Sequence, residues 1–465
     1  MALDEGTRTT LGSLDTSLGN SEKNPGGGGG VLVGIDDPEF EQKLLAYYQR
    51  LFPFPQIYSW LSYGSQELFH CREFAFWLLP SKFGGGVAGG GDGGASSNHA
   101  SSNLFVRYQC YETEEQFRKA LSQRAVKFGE QTIVERMEIG PIYRTPPVHH
   151  AVSSCVPVSR EFVIDIDMDD YNGVRNCCQG ARVCSRCWAV MTVAVKVIDE
   201  LLRGQFGFRH LLWVFSGRRG VHCWVSDDAA RRMTQAERAC IIENLSLIAK
   251  KGDSRVDLTD PLLPRFEQLY QRVLVRFFEA RVLPEQQLLN HEGTTNAVLA
   301  HLPAAAAEAL RQQWAKEQDK SSEYRWDQLK NTLIKSKEPR FRLILASIVF
   351  EFTYPRFDVK VSEDLNHLLK SPFCVHPKTG FVSIPIDPAK CDSFDPTKNA
   401  PSLRGLIAGL DQPGGNVDHL VFEDALSLFQ RFLKPLQQEQ QLARSTASSA
   451  ASSASTNRTT DIEDL

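Results

Sequence analysis

The chain of 465 residues lacks a long hydrophobic run, an N-terminal leader and an excess of positive charge. No stretch is apolar enough to span a bilayer, and the opening MALDEGTRTTLGS has no charged-then-apolar leader pattern. We therefore expect an intracellular protein without membrane contact. The formal net charge of −4 gives no global reason to expect nucleic-acid binding, so any such contact must come from local basic clusters or from a partner.

The composition is otherwise ordinary for a soluble globular protein, with 42% hydrophobic and 23% charged residues. Three segments depart from it. Residues 1–36 and 437–465 are polar and of low complexity, which predicts disordered tails. Residues 84–103 are rich in Gly, Ala, Ser and Asn, which predicts a flexible insertion. It falls between REFAFWL and LFVRY, which both alternate like strands, so we expect it at the tip of a hairpin.

The stretch EFVIDIDMDDY alternates apolar and acidic residues from Glu161 to Asp167, as a strand does. Because residues i and i+2 of a strand point the same way, Asp165 and Asp167 present adjacent carboxylates that can hold one divalent cation or a close pair. The alternative is a strand end that runs into a polar turn. Burying two like charges beside Phe and Ile is costly unless a cation compensates them, which favours a metal site.

Four cysteines follow with the spacing CC-x5-C-x2-C: Cys177, Cys178, Cys184 and Cys187. Two short segments that each deliver two sulfurs suit a closed, tetrahedral zinc site, which would be structural because no coordination position stays open. The alternative is a set of buried or disulfide-bonded cysteines. We favour zinc because thiols stay reduced inside the cell.

Two apolar runs, Arg209 to Phe215 and Val221 to Val225, predict strands on either side of the turn SGRRG. The glycines of this turn allow a ligand to approach the backbone closely, and its hydroxyl and basic groups suit phosphate. The alternative is a solvated arginine turn. The candidate phosphate ligands are Ser216, Gly217, Arg218, Arg219 and His222.

Four motifs in order, DIDMDDY, the cysteine set, SGRRGVHCWV and YPRFDVKVSEDLNHLLKSPFCVHPKTG, resemble the catalytic small subunit of archaeal and eukaryotic DNA primases, the eukaryotic form most closely. The resemblance covers most of the chain from Pro38 to about Asp395. It implies a mixed α/β fold built around a curved mixed sheet, with a structural zinc site at residues 177–187. The catalytic module would comprise residues 37–228 and 346–436. The apolar run from Trp188 to Leu202 predicts a mostly buried helix. After Val225, helical periodicity predicts helices over Thr234 to Ala249, Leu262 to Ala280, Ala297 to Lys316 and Trp326 to Lys335, which match a helical subdomain inserted at 229–345.

The resemblance also implies roles for residues that no local pattern would single out. HCREFAFWL and LFVRYQ match the family's paired strands, although Phe105 replaces a frequent tyrosine and Arg136 replaces an expected lysine. Without the resemblance, a lone aspartate on a predicted strand would be a surface residue, and Glu73 with Arg107 would be a cross-strand surface pair. The implied catalytic residues are Glu73, Asp165, Asp167 and Asp358, the last being the third metal carboxylate. The implied nucleotide-binding residues are Arg107, Arg136, Glu138, His367, Lys370 and His376, together with the SGRRG turn and His222.

The implied activity is DNA-templated synthesis of short RNA primers from ribonucleoside triphosphates, by nucleotidyl transfer with two Mg²⁺ or Mn²⁺ ions. The implied partners are a large primase subunit with an iron-sulfur cluster, the catalytic and accessory subunits of DNA polymerase alpha, and single-stranded template DNA. A nuclear location follows from the family alone, because the chain has no convincing basic localisation run. Two alternatives remain. One is a primase-polymerase or repair polymerase that extends existing ends, and the other is a zinc-stabilised scaffold without catalysis.

Overall fold

The computed structural model describes residues 34–80, 104–127, 130–147, 156–247, 256, 258–410, 412 and 416–456. Within these ranges the chain has both strands and helices, so the predicted mixed α/β class is confirmed. The strands are β1 (Arg72–Pro80), β2 (Leu104–Gln109), β3 (Ala125–Lys127), β4 (Glu130–Tyr143), β5 (Pro157–Ser159), β6 (Phe162–Asp167), β7 (Leu211–Phe215), β8 (Gly220–Val225) and β9 (Leu369–Lys370).

The helices flank the strands and fill most of the interval between β8 and β9. They are α1 (Phe40–Arg50), α2 (Phe54–Ser62), α3 (Gln66–His70), α4 (Glu114–Ser122), α5 (Ser185–Gly204), α6 (Asp228–Arg232), α7 (Gln235–Leu245), α8 (Pro264–Leu269), α9 (Val275–Phe277), α10 (Leu283–Gln286), α11 (Glu292–Leu299), α12 (Ala304–Lys316), α13 (Ser322–Lys335), α14 (Phe341–Thr353), α15 (Val359–Glu363), α16 (Pro396–Asn399), α17 (Leu403–Gly409) and α18 (Val417–Thr456). Within the described ranges, no helix combines the length and the hydropathy needed to cross a bilayer.

The strands form two sheets, and every pairing among the described residues is antiparallel. The first has the order β2-β1-β4-β3, with β5 and β9 also paired to β4, and the second has the order β6-β8-β7. The expectation of a single mixed sheet is therefore wrong. β6 and β7 do run in the same direction, as strands joined by a crossover helix should, but β8 folds back between them and pairs with both.

The strands that flank the predicted insertion pair with each other, with Trp77 opposite Phe105. This is the hairpin that the alternating patterns predicted. The insertion itself, 84–103, lies outside the described residues.

The interval predicted to be helical, 229–345, contains helices and no strand among its described residues. One helix predicted over Ala297 to Lys316 is in fact two, because Pro303 interrupts it and stands at the N-cap of α12. Proline cannot donate a backbone hydrogen bond and its ring clashes with the preceding turn, so it begins a helix more readily than it continues one.

The C-terminal segment is the clearest departure from expectation. Disorder was expected from residue 437, but α18 continues to Thr456. Its extension is held by polar contacts with the body: Gln437 donates to the hydroxyl of Ser59 at 2.6 Å, and Glu439 lies 2.8 Å from His210 Nε2. Low sequence complexity carries no information on such tertiary contacts. Residues 457–465 lie outside the described part, as do 1–33, whereas Gly34–Asp36 form a 3₁₀ turn.

A segment after the helical interval is bonded to both sheets. β9 pairs with β4, so that Lys370 lies opposite Glu138. A few residues later, the N–H of Phe215 in β7 donates to Ile384 O at 2.8 Å, and Ile386 N–H donates to Trp213 O at 2.9 Å. This segment, residues 369–386, therefore bridges the two sheets.

A buried ion pair also connects the two sheets. Arg72 at the start of β1 makes two hydrogen bonds of 2.9 Å to Glu161, which precedes β6, and both side chains are fully buried. Tyr63 donates a third hydrogen bond to the carboxylate. Burial alone would raise the pKa of Glu161, but the charge and hydrogen bonds of Arg72 outweigh it and lower the pKa to about 2.

Replacing Glu161 with Gln should destabilise the protein by about 3–5 kcal/mol, because the guanidinium of Arg72 would stay buried without a counter-charge. Urea unfolding monitored by circular dichroism measures this. A carboxylate with a lowered folded-state pKa contributes stability above its unfolded pKa, about 4.5, and loses it as the pH falls toward 2. The variant should therefore lose part of the acid dependence of unfolding between these pH values.

The matched control is Glu114→Gln, which removes a partly exposed ion pair with Arg118 on α4. Such a pair is worth under about 1 kcal/mol, so the control should unfold close to the unmodified protein. Equal destabilisation by the two substitutions would contradict a special role for the buried pair.

Candidate active site

Two of the predicted metal ligands lie at the end of β6. The alternation of this strand buries Phe162, Ile164 and Ile166, and leaves Asp165 and Asp167 partly exposed. His222 of β8 stands opposite Asp165 in the register, with its Nε2 3.5 Å from a carboxylate oxygen. Asp165, Asp167 and His222 therefore lie on the same face of the second sheet.

The third aspartate lies beside them, although the local structure expected for it is wrong. Asp358 is not on a strand but at the N-cap of α15, where its carboxylate accepts hydrogen bonds from the N–H groups of Lys360 and Val361. A short acidic side chain competes well for the free N–H groups of a first helical turn, and this outweighs the alternating pattern FDVKV. The N–H of Asp358 donates to Asp165 O at 2.9 Å, which fixes the two residues next to each other.

Asp165 lies close to several other carboxylates, which disfavour its charged form. Burial, and then the nearby carboxylates of Asp167, Asp358 and Asp170, raise the pKa of Asp165 to about 7. Asp169 adds a buried oxygen, Oδ1, that has no hydrogen-bond partner. A bound cation would relieve the repulsion at Asp165, and carboxylate oxygens are the ligands that hard divalent ions prefer.

The aspartates are not drawn into a tight ligand cluster in this conformation. Asp167 instead pairs with Arg219, at 2.8 Å from Nε, and Asp358 caps its helix. Because like charges repel, Asp167 and Asp358 each accept hydrogen bonds from nearby donors instead of approaching one another. In the part of the chain that the structure describes, the cysteine set is the one group of three or more Cys, His, Asp or Glu ligand atoms that lie close enough to share an ion.

The SGRRG turn packs against the loop that carries His376. Gly217 has a φ of +84°, and a Cβ there would stand 3.0 Å from His376 Cβ and 3.1 Å from Phe381 O, so glycine is needed for both conformation and space. Thr379 donates to Gly217 O at 2.7 Å. Lys370 donates to Ser216 O. These contacts join the turn, β9 and the following loop into one pocket.

The basic groups of this pocket are close enough to influence one another. Burial lowers the pKa of His222 to about 3 and of His376 to about 2, and in both cases the charge of Lys370 adds to the effect. Burial also lowers the pKa of Lys370 itself to about 8, with a contribution from Arg136. Arg218 has no ion pair or hydrogen bond to the described residues, and its charge also acts on His376. The pocket therefore offers converging cations and neutral imidazoles to an anion.

Glu73 is placed differently from a residue that contacts substrate. It is fully buried, and its carboxylate binds Arg107 Nε at 2.8 Å, Arg107 Nη2 at 3.1 Å and the hydroxyl of Tyr143 at 2.9 Å. Arg107 in turn reaches Asn366 O at 3.3 Å, beside His367. Glu73 thus orients Arg107 toward the segment that carries His367.

Sequence reasoning missed several of the contributing side chains. The hydroxyl of Tyr143, the hydroxyl of Thr379 and the carboxylate of Asp169 each contact or adjoin a predicted site residue. Tyr143 and Thr379 fall within the matched segments ERMEIGPIY and VHPKTG, but their types alone do not mark them. Glu138 was expected to face the nucleotide, and its carboxylate accepts a 2.9 Å hydrogen bond from Trp77 Nε1.

The four predicted zinc ligands come together at the start of α5, with their sulfur atoms within 4.8 Å of one another. All four are free cysteines, so the disulfide alternative fails. A hydrogen bond from Cys177 lowers the pKa of Cys187, against the effect of burial, and the guanidinium of Arg175 adds to the lowering. A thiol that ionises readily suits a metal such as zinc, which binds thiolates.

Comparison with known proteins finds related sequences that cover most of the chain. The family model described as DNA primase small subunit matches residues 164–388. The chain is 32% identical over 402 residues to the DNA primase small subunit of Schizosaccharomyces pombe, covering 83% of this chain and 81% of the relative. It is 33% identical over 393 residues to that of Drosophila melanogaster, covering 80% and 82%.

An archaeal relative, the DNA primase small subunit PriS of Methanocella arvoryzae, is 26% identical over 261 residues, covering 52% of this chain and 64% of the relative. The likeness therefore extends further along the eukaryotic relatives than along the archaeal one. The chain belongs to the DNA primase small subunit family.

Proposed function

We propose that this chain is the catalytic subunit of a DNA primase and joins ribonucleoside triphosphates into short RNA primers on a single-stranded DNA template. The observation that carries the proposal is the hydrogen bond that joins Asp358 to Asp165, close to the basic group that includes Lys370 and His376. Acidic ligands facing a basic pocket are what transfer of a nucleotide from a triphosphate requires.

Asp165, Asp167 and Asp358 would hold two Mg²⁺ or Mn²⁺ ions. When bound, the ions lower the pKa of the attacking 3′-hydroxyl and stabilise the charge that develops on the α-phosphate and the leaving pyrophosphate. The raised pKa of Asp165 supports this assignment, since burial and the neighbouring carboxylates disfavour its charged form, which a bound cation would stabilise.

The protein groups act mainly by positioning the triphosphate. Arg218 and Arg219 can each present a planar fork to two phosphate oxygens, and Lys370 adds a point charge. His222 and His376, neutral at pH 7 because of burial and neighbouring cations, would each donate an N–H hydrogen bond to a phosphate oxygen. Ser216 and Gly217 would supply the turn that lets these groups converge.

The surrounding residues would hold the nucleotide-binding wall in shape. Glu73 would act through Arg107, whose side chain it orients, rather than by contact with the reacting atoms. His367 lies next to the carbonyl that Arg107 contacts, and Arg136 adds positive charge near Lys370.

The cysteine set would hold one structural Zn²⁺, which ties the loop after β6 to the first turn of α5. Cys184 is the N-cap of α5 and Cys187 lies in its first turn. A metal at this point would fix the helix that packs on the catalytic strands β7 and β8.

We also propose that the chain works with a large primase subunit bearing an iron-sulfur cluster and, through it, with DNA polymerase alpha and its accessory subunit in the nucleus. Family membership supports the large subunit. A chain with a net charge of −4 would also gain from a partner that helps to hold the template.

Replacing Asp358 with Asn should lower dinucleotide synthesis by at least about 100-fold, because a metal carboxylate is lost while asparagine still caps α15. The measurement is product formation from ribonucleotides on an unprimed single-stranded template with Mg²⁺. Asp327→Asn, on the exposed face of α13, is the matched control. Undiminished synthesis by the Asp358 variant would contradict the proposal, and complete dependence of the unmodified chain on a supplied primer would favour an end-extending polymerase.

Replacing Arg218 with Gln should raise the KM for ribonucleotides by about 10- to 100-fold, because a bidentate charged contact to phosphate is lost. Affinity for single-stranded DNA should change little. Arg232→Gln, an exposed position on α6, should leave both quantities unaltered. An unchanged KM would remove Arg218 from the triphosphate pocket.

The purified full chain should contain about one zinc ion, measured by atomic emission and by release on thiol modification. Cys184→Ser should lower this content and the temperature of unfolding. The control is Cys240→Ser, since Cys240 is exposed and distant in sequence from the cluster. A folded protein without zinc, and with four freely titrating thiols in the cluster, would contradict the assignment.

A further inference from the structure

Three planar side chains stand side by side across the first sheet. In the register, Trp77 of β1 lies opposite Phe105 of β2 on one side and opposite Arg136 of β4 on the other. The ring centroids of Trp77 and Phe105 are 4.7 Å apart at 34°, and the guanidinium carbon of Arg136 lies 4.6 Å from the centroid of Trp77. We call these three side chains the stacked row.

The stacked row is fixed in position before any ligand binds. Glu138 accepts a 2.9 Å hydrogen bond from Trp77 Nε1 and lies 3.7 Å from Arg136 Nε. Both partners of Glu138 are therefore oriented by one carboxylate. A surface whose side chains are already ordered loses little entropy when a ligand binds.

The row has an open end at Phe105. The side chain of Phe105 is exposed (39%), whereas that of Trp77 is half-buried. β2 is the last strand in the order of its sheet, so within the described ranges no strand covers the outer side of Phe105. An aromatic face that stays in water does not gain the free energy of burial. A ligand that covered the open face of Phe105 would gain it.

The other end of the row joins the phosphate pocket. Arg136 lies two residues along β4 from Glu138, which pairs with Lys370 of β9. Two residues of a strand span about 7 Å. On β2, Arg107 is two residues from Phe105, on the same face, and it binds Glu73. The row therefore leads from the triphosphate pocket to the edge of the sheet.

We propose that the stacked row binds the single-stranded template, with an unpaired base stacked on the open face of Phe105 and with Arg136 drawing in a backbone phosphate. This proposal rests on the proposed primase function and names where the template lies. Proteins hold single strands with aromatic side chains, on which bases stack, and with basic side chains nearby, which contact the backbone. Base stacking tolerates any sequence because every base has a π face. A template site requires that tolerance.

The geometry favours the template over the incoming nucleotide. The open face of Phe105 is separated from Lys370 by the strands β4 and β1, about 14 Å across the sheet. It also faces the free edge, where a polymer can continue in both directions. The phosphate contact by Arg136 lies between that edge and the triphosphate pocket, as a strand leading into the pocket would need.

The test uses the full chain with a fluorescein-labelled oligothymidylate, and measures its Kd by fluorescence anisotropy. Phe105→Ala should weaken binding by about 5- to 150-fold, the effect expected from the loss of one stacked base. Phe105→Tyr keeps a planar ring and should bind within about twofold of the unmodified chain. Phe105→Leu keeps an apolar side chain without the ring, and should bind as weakly as the alanine variant.

The matched control is Val126→Ala, since Val126 is 69% exposed on β3, at the opposite edge of the same sheet. It should leave the Kd unchanged. Equal Kd values for the unmodified, Phe105→Ala and Phe105→Leu chains would overturn the proposal, as would a raised KM for ribonucleotides in Phe105→Ala with no change in oligonucleotide Kd. If the unmodified chain made no dinucleotide, the proposed function would fail, and the oligonucleotide Kd values would still decide the role of the row.

Discussion

The arrangement of this protein depends on one short segment that is hydrogen-bonded to two sheets. Residues 369–386 pair first with β4 through Lys370 and then with β7 through Ile384 and Ile386. Backbone hydrogen bonds leave little freedom in register, so the segment fixes how Lys370 and the residues after it lie between the two sheets. The buried pair of Arg72 and Glu161 holds the two sheets together at another point.

The charged groups of the site compensate one another only in part. Asp167 pairs with Arg219, whereas burial and the neighbouring carboxylates raise the pKa of Asp165. Burial also lowers the pKa of Lys370, and the charge of Arg136 adds to this effect. Ionisable groups with shifted pKa values that lie close together are typical of functional sites.

Much of the fold was predictable where one local signal dominated. The alternation in β6, the apolar run of β7 and the long hydrophobic helix α5 all depend on the periodicity of nearby residues, and the structure has them. The exceptions have local physical causes. Pro303 divides a predicted helix, and the side chain of Asp358 caps a helix where alternation indicated a strand.

The paired aspartates of β6, the cysteine spacing and the glycine-arginine turn can be recognised without a structure, because each depends on residues close together in the chain. The folded structure is needed to show that Asp358 meets Asp165, that Glu73 orients Arg107, and that an exposed phenylalanine ends a row of stacked groups. These contacts join distant segments, and their energies depend on burial and packing that no local pattern records.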